Sequence, residues 1–528
     1  MLMMRALLVL MVLAPSVCLA EVNKPNIILV MVDDMGFSDI GCYGGEVETP
    51  NLDRMATEGT RFTQFYNNAK CTTTRASILT GLFPRFGKPG HMRTNMITLG
   101  EAMKLAGYHT AMPGKWHLLE TGKYDVRVAG SWHDDYVKTS HPFFRGFDSY
   151  YGLLDGCCNF FNPSQADPSY KGGKVRKFGH NDQAITEFGK EFYTTDAFTD
   201  DVVGRIREYS KDDKPFFLHL CYTAPHYPLH AKPKDIAKYR GKFRMGWEQM
   251  RKDRWARQQA MGLTDETWAL TQGDPRSYDW ATADHEFEDE RMAVYAAMID
   301  SVDQNMGRIL KTLEVTGQAD NTLVMFLSDN GGCSEEPGGR DPSKRTAGPG
   351  DDYVAVGPSW GWAQNAPFRR YKSWVHEGGI TTPMIAWWPG HVAANAINRD
   401  PAHIIDLLPT FLDLADTDYP QQYNGHEILP VEGRSMKPLL EGRSREMHDL
   451  YWYWSRNRAV RQGDMKLVWS NDVKVWELYN ISRDRCEMNN LADEQPRIVK
   501  QMSADWFAWA EEMGLDKAKV AGKPKKKN

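Results

Sequence analysis

Asp33 and Asp34 stand immediately after a short apolar run, and Asp329 and Asn330 follow another with only Ser328 between. Four oxygen-bearing side chains brought together would suit a hard cation such as Ca²⁺ or Mg²⁺, whereas zinc or copper would draw on His or Cys. Each pair has a plain alternative. Asp-Asp after a strand is often a helix cap, and Asp329-Asn330-Gly331 reads equally as a turn. A third feature is Cys71-Thr72-Thr73-Thr74-Arg75, ahead of an apolar segment closed by Gly81. The glycine reads as a helix C-cap, which puts Cys71 at or near a helix N-terminus, where the dipole stabilises a thiolate. Arg75, four residues on, then lies on the same face. A buried structural cysteine is the bland reading. A thiolate nucleophile with a His base is the chemical alternative, though it leaves the acidic pairs unexplained.

The elements that must position these groups are short runs rich in Ile, Val, Leu and Phe at 27–32, 216–221, 323–327 and 384–388, which read as strands buried on both faces. Helical patterns lie between them; one starts after Pro50, faces inward with Leu52, Met55 and Ala56, and stops at Gly59. This alternation predicts an α/β fold whose mixed or mostly parallel sheet is sandwiched between helices. Ligands of open α/β sheets bind at the carboxyl ends of the strands, where both acidic pairs would stand. After about Thr417 the texture changes to closely spaced strand candidates at 450–454, 459–461, 465–469 and 475–479, with a hairpin turn at Gln462-Gly463-Asp464. A helix over 496–513, with Ile498, Met502, Trp506 and Trp509 at helical spacing, completes a small C-terminal antiparallel α+β domain. Two long polar stretches, 232–290 and 333–371, read as excursions around the ends of the sheet.

At 528 residues the chain is long enough for one large domain and a smaller one. Its 64 basic and 69 acidic residues nearly cancel and the pI is near 6.3, so nothing points to nucleic acid as a partner. Residues 1–20 carry Arg5, an apolar run and small residues ending at Ala20; this reads as a cleaved signal peptide, its apolar run too short to span a bilayer, and predicts a secreted or periplasmic protein without stable membrane insertion. The organisation is therefore 1–20 signal peptide, 21–417 catalytic domain, 418–517 C-terminal subdomain and 518–528 basic disordered tail. The adjacent Cys157 and Cys158 lack metal-ligand spacing.

These segments resemble the type I, formylglycine-dependent sulfatases of the alkaline phosphatase-like superfamily. Cys71-Thr72-Thr73-Thr74-Arg75-Ala76-Ser77-Ile78-Leu79-Thr80-Gly81 is similar to that family's signature, in which the cysteine is oxidised to formylglycine. Further blocks match in order: 26–34, Gly114-Lys115-Trp116-His117, Pro225-His226, 328–331, Tyr371-Lys372 with Glu377-Gly378-Gly379, and Glu477-Leu478-Tyr479-Asn480. The resemblance implies that Asp33, Asp34, Asp329, Asn330 and the modified Cys71 bind Ca²⁺, and that Lys115, His226 and Lys372 hold the sulfate. It further implies that Arg75 orients the formylglycine hydrate, that His117 is the base regenerating the aldehyde, and that a formylglycine-generating maturation enzyme is a partner.

The chemistry of that assembly follows from charge. A sulfate ester repels a nucleophile unless cations neutralise its non-bridging oxygens, and Ca²⁺ with Arg75, Lys115 and Lys372 outweighs the aspartates. One hydroxyl of the hydrate attacks sulfur while an acid, assigned to His226, protonates the departing alcohol. Loss of the second hydroxyl's proton then expels sulfate and restores the aldehyde. Thr73 stands where the family usually has proline, which predicts partial conversion of Cys71; Thr381 and Thr382 are a second departure, at a position often held by arginine and a β-branched residue. The rival readings are a phosphodiester or phosphonate monoester hydrolase and a catalytically silent, metal-dependent carbohydrate-binding protein. The expected substrate is a sulfated carbohydrate, with a small aryl sulfate as the alternative.

Overall fold

The computed structural model describes residues 24–86, 92–119, 138–348, 350, 352–515 and 520; the predicted signal peptide and nearly all of the basic tail lie outside them. Eleven strands form the main sheet. They are β1 (Asn26–Val32), β2 (Thr60–Tyr66), β3 (His109–Pro113), β4 (Ser149–Leu153), β5 (Phe178–His180), β6 (Gln183–Ala184), β7 (Phe216–Cys221), β8 (Thr322–Ser328), β9 (Thr381–Trp387), β10 (Ala396–Asn398) and β11 (Ala402–His403). The order is β10-β2-β9-β8-β1-β7-β3-β4-β5-β6, with β11 also against β2. The centre, β8-β1-β7-β3-β4, is parallel, while β9 and β5 run antiparallel to β8 and β4. The sheet is therefore mixed.

β1 is buried along its whole length because both of its faces are covered. Ile28, Val30 and Val32 join one core with α1 (Pro50–Glu58), α4 (Thr194–Tyr209) and α5 (His285–Val315). Ile27, Leu29 and Met31 join the other with α2 (Cys71–Thr80), α3 (Leu99–Leu105) and α6 (Leu407–Leu414). The alternation of a strand thus feeds two hydrophobic layers.

Some boundaries differ from the sequence reading. The strand expected at 384–388 begins at Thr381, because Thr381 and Thr382 pair with Tyr66 and Phe65 of β2. The stretch 232–290 contains helices Pro233–Ile236 and Trp247–Ala260 and the first turn of the long α5, and 333–371 contains a helix at Gly357–Ala363.

The C-terminal part is a four-stranded antiparallel sheet of Leu450–Trp454, Asn457–Gln462, Met465–Trp469 and Trp476–Asn480, with α7 (Pro496–Glu512) packed on it through Met502, Trp506 and Trp509. Gln462 pairs with Met465 across a two-residue turn in which Gly463 has φ 57°, as a tight hairpin requires. A buried ionic knot ties this sheet to the main domain. Lys466 donates to Glu377 at 2.6 Å and pairs with Glu487 at 2.9 Å, and Arg485 also pairs with Glu377. Among the described residues the seven cysteines are buried free thiols, and no helix is long and apolar enough to cross a membrane.

Candidate active site

β1 and β8 run parallel with Val32 opposite Ser328, so the two acidic pairs leave the sheet side by side. Asp34 adopts φ 68°, unusual for a residue with a Cβ, and its N–H donates to Asp329 Oδ1 at 3.2 Å. The Asn330 amide donates to Asp34 Oδ1 at 2.7 Å. All four side chains are fully buried.

α2 brings in the cysteine. Cys71 is its first residue and 1% exposed, and the helix ends at Gly81 in the left-handed region, its N–H bonded to Ser77 O. One turn on, Arg75 grips Asp329 Oδ2 with Nη2 at 2.8 Å and Nε at 3.2 Å, and its Nη1 donates to the Lys115 carbonyl at 2.7 Å. Thr73 lies in the first turn, where backbone N–H groups need no intrahelical acceptor, and its hydroxyl faces the carbonyls of Lys70 and Asn68 at 2.9 and 3.1 Å. The other departures are absorbed as hydrogen bonds: Thr382 Oγ1 accepts from Ser328 N, and Thr381 Oγ1 donates to Glu377.

Lys115 follows β3. Gly114 just before it has φ 111°, and a Cβ there would stand 1.9 Å from the Cys221 carbonyl, so only glycine lets the chain pass. Lys115 pairs with Asp33 Oδ2. Lys372 enters from the loop ahead of β9; its Nζ donates to Asp34 Oδ2 at 2.7 Å and lies 3.5 Å from Glu335. The two lysines expected to hold sulfate are thus each engaged with a carboxylate, and each ammonium keeps further N–H groups.

His226 follows β7, with Nε2 3.4 Å from Asp34 Oδ2 and Nδ1 2.6 Å from the Tyr227 carbonyl. A carbonyl only accepts, so Nδ1 carries a proton, and Nε2 carries one only in the imidazolium. His117, at φ 60°, stands at the rim: its electrostatic neighbours include Lys115, Arg75 and His226, its Nδ1 has no hydrogen-bond partner among the described residues, and Gly156 packs so close that a Cβ there would meet Nε2 at 2.5 Å. The fold brings every predicted site residue to one end of the sheet, with His117 at the margin.

Two participants carried no readable pattern. Glu335 accepts from Tyr227 OH at 2.7 Å and pairs with Lys70 at 2.9 Å. Each is a single charge in a loop, although Lys70 borders Cys71 directly.

The electrostatics favour an added cation. Burial, reinforced by Asp329, pushes the Asp33 carboxyl up to about 8, against the pull of Lys115. Burial acts on Asp34 in the same sense, but His226 and Lys372 outweigh it and hold Asp34 below the carboxylate range. Burial raises the Cys71 thiol and lowers both His117 and His226. Ligand atoms of Asp33, Cys71 and Asp329 lie within 4.8 Å of one another. Asp33 Oδ1 and Asn330 Oδ1 are buried without a hydrogen-bond partner among the described residues. Buried oxygens left unpartnered beside crowded carboxylates are the donor set of a hard, oxygen-seeking ion.

Comparisons with known proteins bear on the family. Residues 25–417 match the family model described as Sulfatase, and residues 368–507 match that of N-sulphoglucosamine sulphohydrolase, C-terminal. An uncharacterized sulfatase of Schizosaccharomyces pombe is 31% identical over 94% of this chain and 95% of its own, and an arylsulfatase of Klebsiella aerogenes is 29% identical over 82% and 96%. The solved structure of Ps i-CgsB in complex with k-i-k-neocarrahexaose superposes with a TM-score of 0.66 at 26% identity, covering 93% of this chain and 94% of that one. A family match over most of the chain, on a fold that gathers the expected residues at the strand ends, makes this chain a member of the sulfatase family and a sulfuric ester hydrolase.

Proposed function

We propose that the chain hydrolyses a sulfate ester on a carbohydrate, with a formylglycine made from Cys71 and with Ca²⁺ held by Asp33, Asp34, residue 71, Asp329 and Asn330. The observation that carries this reading is the convergence of Asp33, Cys71 and Asp329 within 4.8 Å. The ion would supply positive charge to the sulfate oxygens, and the oxidised residue would supply, as its hydrate, one hydroxyl to attack sulfur with loss of the alcohol and a second whose deprotonation would break the C–O bond to the first and release sulfate.

The chain's own groups do the rest. Lys115 and Lys372 direct their remaining N–H groups at the sulfate and lower the repulsion met by the nucleophile. Arg75, bound to Asp329 and to the Lys115 backbone, fixes both relative to residue 71 and orients the hydrate. For the acid role His226 must be doubly protonated, a state that burial opposes and that Asp34, 3.4 Å from Nε2, favours; it then gives the Nε2 proton to the departing oxygen, while His117, kept neutral by burial, takes the proton whose loss frees the aldehyde. The k-i-k-neocarrahexaose bound by the solved relative supports a saccharide substrate. The predicted leader supports export to an extracellular or periplasmic space, and the change of texture near Thr417 supports a domain boundary there.

The test joins two measurements on one preparation. Peptide mass spectrometry reads the fraction of formylglycine at position 71, and ion chromatography reads sulfate released from sulfated saccharides. Release should scale with the converted fraction; full activity from wholly unmodified cysteine overturns the reading.

A further inference from the structure

A cavity of about 320 Å³ opens beside Lys372 and runs to the loops of the C-terminal sheet, with Glu335, Trp374, Asn457, Asp472 and Arg276 among its lining. Its charges are nearly all satisfied internally. Glu335 is taken up by Lys70, Tyr227 and Lys372. Asp472 accepts from Ser470 at 2.6 Å and pairs with Arg370, and Lys372 is bound to Asp34. Arg276 is the exception. The residue is exposed, its guanidinium pairs with no acid among the described residues, and it lies 5.6 Å from the centroid of the Tyr371 ring.

Arg276 is nonetheless held in register with Lys372. The buried Asp274 accepts the Arg276 backbone N–H at 2.9 Å, the Tyr371 hydroxyl at 3.0 Å and Arg370 Nη1 at 3.3 Å, so one carboxylate ties the Arg276 turn to the residues just before Lys372. Trp374, half-buried, lies in the same wall, with the Arg370 guanidinium 4.3 Å from its ring centroid.

We propose that this cavity is a saccharide subsite and that Arg276 binds a second anionic group, a sulfate or a carboxylate, on the sugar whose scissile sulfate is held by Lys372. This rests on the reading of Lys372 as a sulfate-holding residue. The argument is one of charge and shape. A guanidinium carried on a backbone turn anchored by Asp274 presents paired N–H donors matched to sulfate or carboxylate oxygens, and a Trp-bearing wall offers an apolar surface to a sugar ring. A substrate with the scissile sulfate alone would leave Arg276 unused; a dianionic one engages both ends.

The test compares the full-length enzyme with its Arg276→Gln variant by calorimetry. The probes are galactose and N-acetylgalactosamine monosulfates, their disulfates, and disaccharides in which the monosulfated sugar is joined to a uronic acid. Dianionic probes should bind the parent about tenfold more tightly than monosulfated ones, a preference that falls to near unity in Arg276→Gln and is partly kept in Arg276→Lys. Whether the disulfates or the uronic acid probes carry the preference identifies the second anion. Equal affinities for mono- and dianionic probes in the parent, no binding of any probe, or the same preference in the variant overturns the subsite. Sulfate release from the same probes reads the chemistry separately. Charge-dependent binding without release sinks the sulfatase chemistry and spares the subsite; release without dependence on Arg276 does the reverse.

Discussion

Replacing Lys466 by methionine should be among the most damaging single changes outside the proposed catalytic and metal-binding residues. Lys466 is fully buried, as are its partners Glu377 and Glu487, and Arg485 is the other cation on Glu377. Lys466→Met leaves two buried carboxylates facing one guanidinium. Breaking a buried pair from one side costs about 3–5 kcal/mol, because the remaining charge is desolvated without compensation. The loss should appear in urea unfolding followed by the fluorescence of the buried Trp452 and Trp506, as a lower midpoint. It should also reach the site, because Glu377 opens the turn Glu377–Ile380, whose Gly378 N–H bonds the Arg369 carbonyl three residues before Lys372. We expect kcat/KM to fall by roughly tenfold to a hundredfold, about 1.4–2.8 kcal/mol. Adding Glu487→Gln removes the stranded charge and should recover most of the stability. A Lys466→Met protein within 1 kcal/mol of its parent, or one that Glu487→Gln fails to rescue, refutes the account of the knot as a charge-balanced unit.

Three further outcomes are expected. Verified metal removal should abolish sulfate release, and Ca²⁺ should restore it better than Zn²⁺; undiminished activity after chelation removes the assignment of Asp33, Asp34, Asp329 and Asn330. His226→Ala should slow esters of poorly departing alkoxides far more than esters releasing a stabilised phenolate, and equal losses across a leaving-group series point instead to sulfate binding. Gly114→Ala should reduce kcat/KM by at least a hundredfold with displacement of Lys115, since its Cβ would meet a carbonyl at 1.9 Å; a near-normal variant contradicts the described passage of the chain.

The central strands were legible because a strand covered on both faces must be apolar throughout, as Asn26–Val32 and Thr322–Ser328 nearly are. The acidic pairs were legible because they directly follow those runs. The 31-residue α5 was not recognised as one element, because it is buried over much of its circumference and places Asp289, Asp300 and Asp303 among its buried residues, which blurs the apolar stripe of an ordinary surface helix. Asp303, for instance, faces the backbone N–H groups of Asn51 and Leu52 at the start of α1, a partnership 252 and 251 residues distant. Glu335 and Arg276 owe their places to loops that converge only in three dimensions, and no spacing announces them. The signature around Cys71 was readable through resemblance; its physical content, a cysteine at a helix N-terminus with Arg75 one turn on, was readable from the residues alone.

The burial of Cys71 has a temporal side. The residue is 1% exposed, and of the groups around it Asp329 and Lys372 belong to segments synthesised much later. About 300 residues separate Cys71 from Lys372, which at 5–20 residues per second corresponds to a delay of roughly 15–60 s. During that interval the Cys71 segment is made while β8 and the Lys372 loop do not yet exist, so the maturation enzyme of the proposed reading would have a window set by the ribosome. Once the last strands join the sheet the window shuts. If Cys71 is oxidised as proposed, chain order acts as a clock: an early cysteine and late neighbours would let oxidation precede burial, and a circular permutant that moved residues 322–387 ahead of Cys71 would take that head start away.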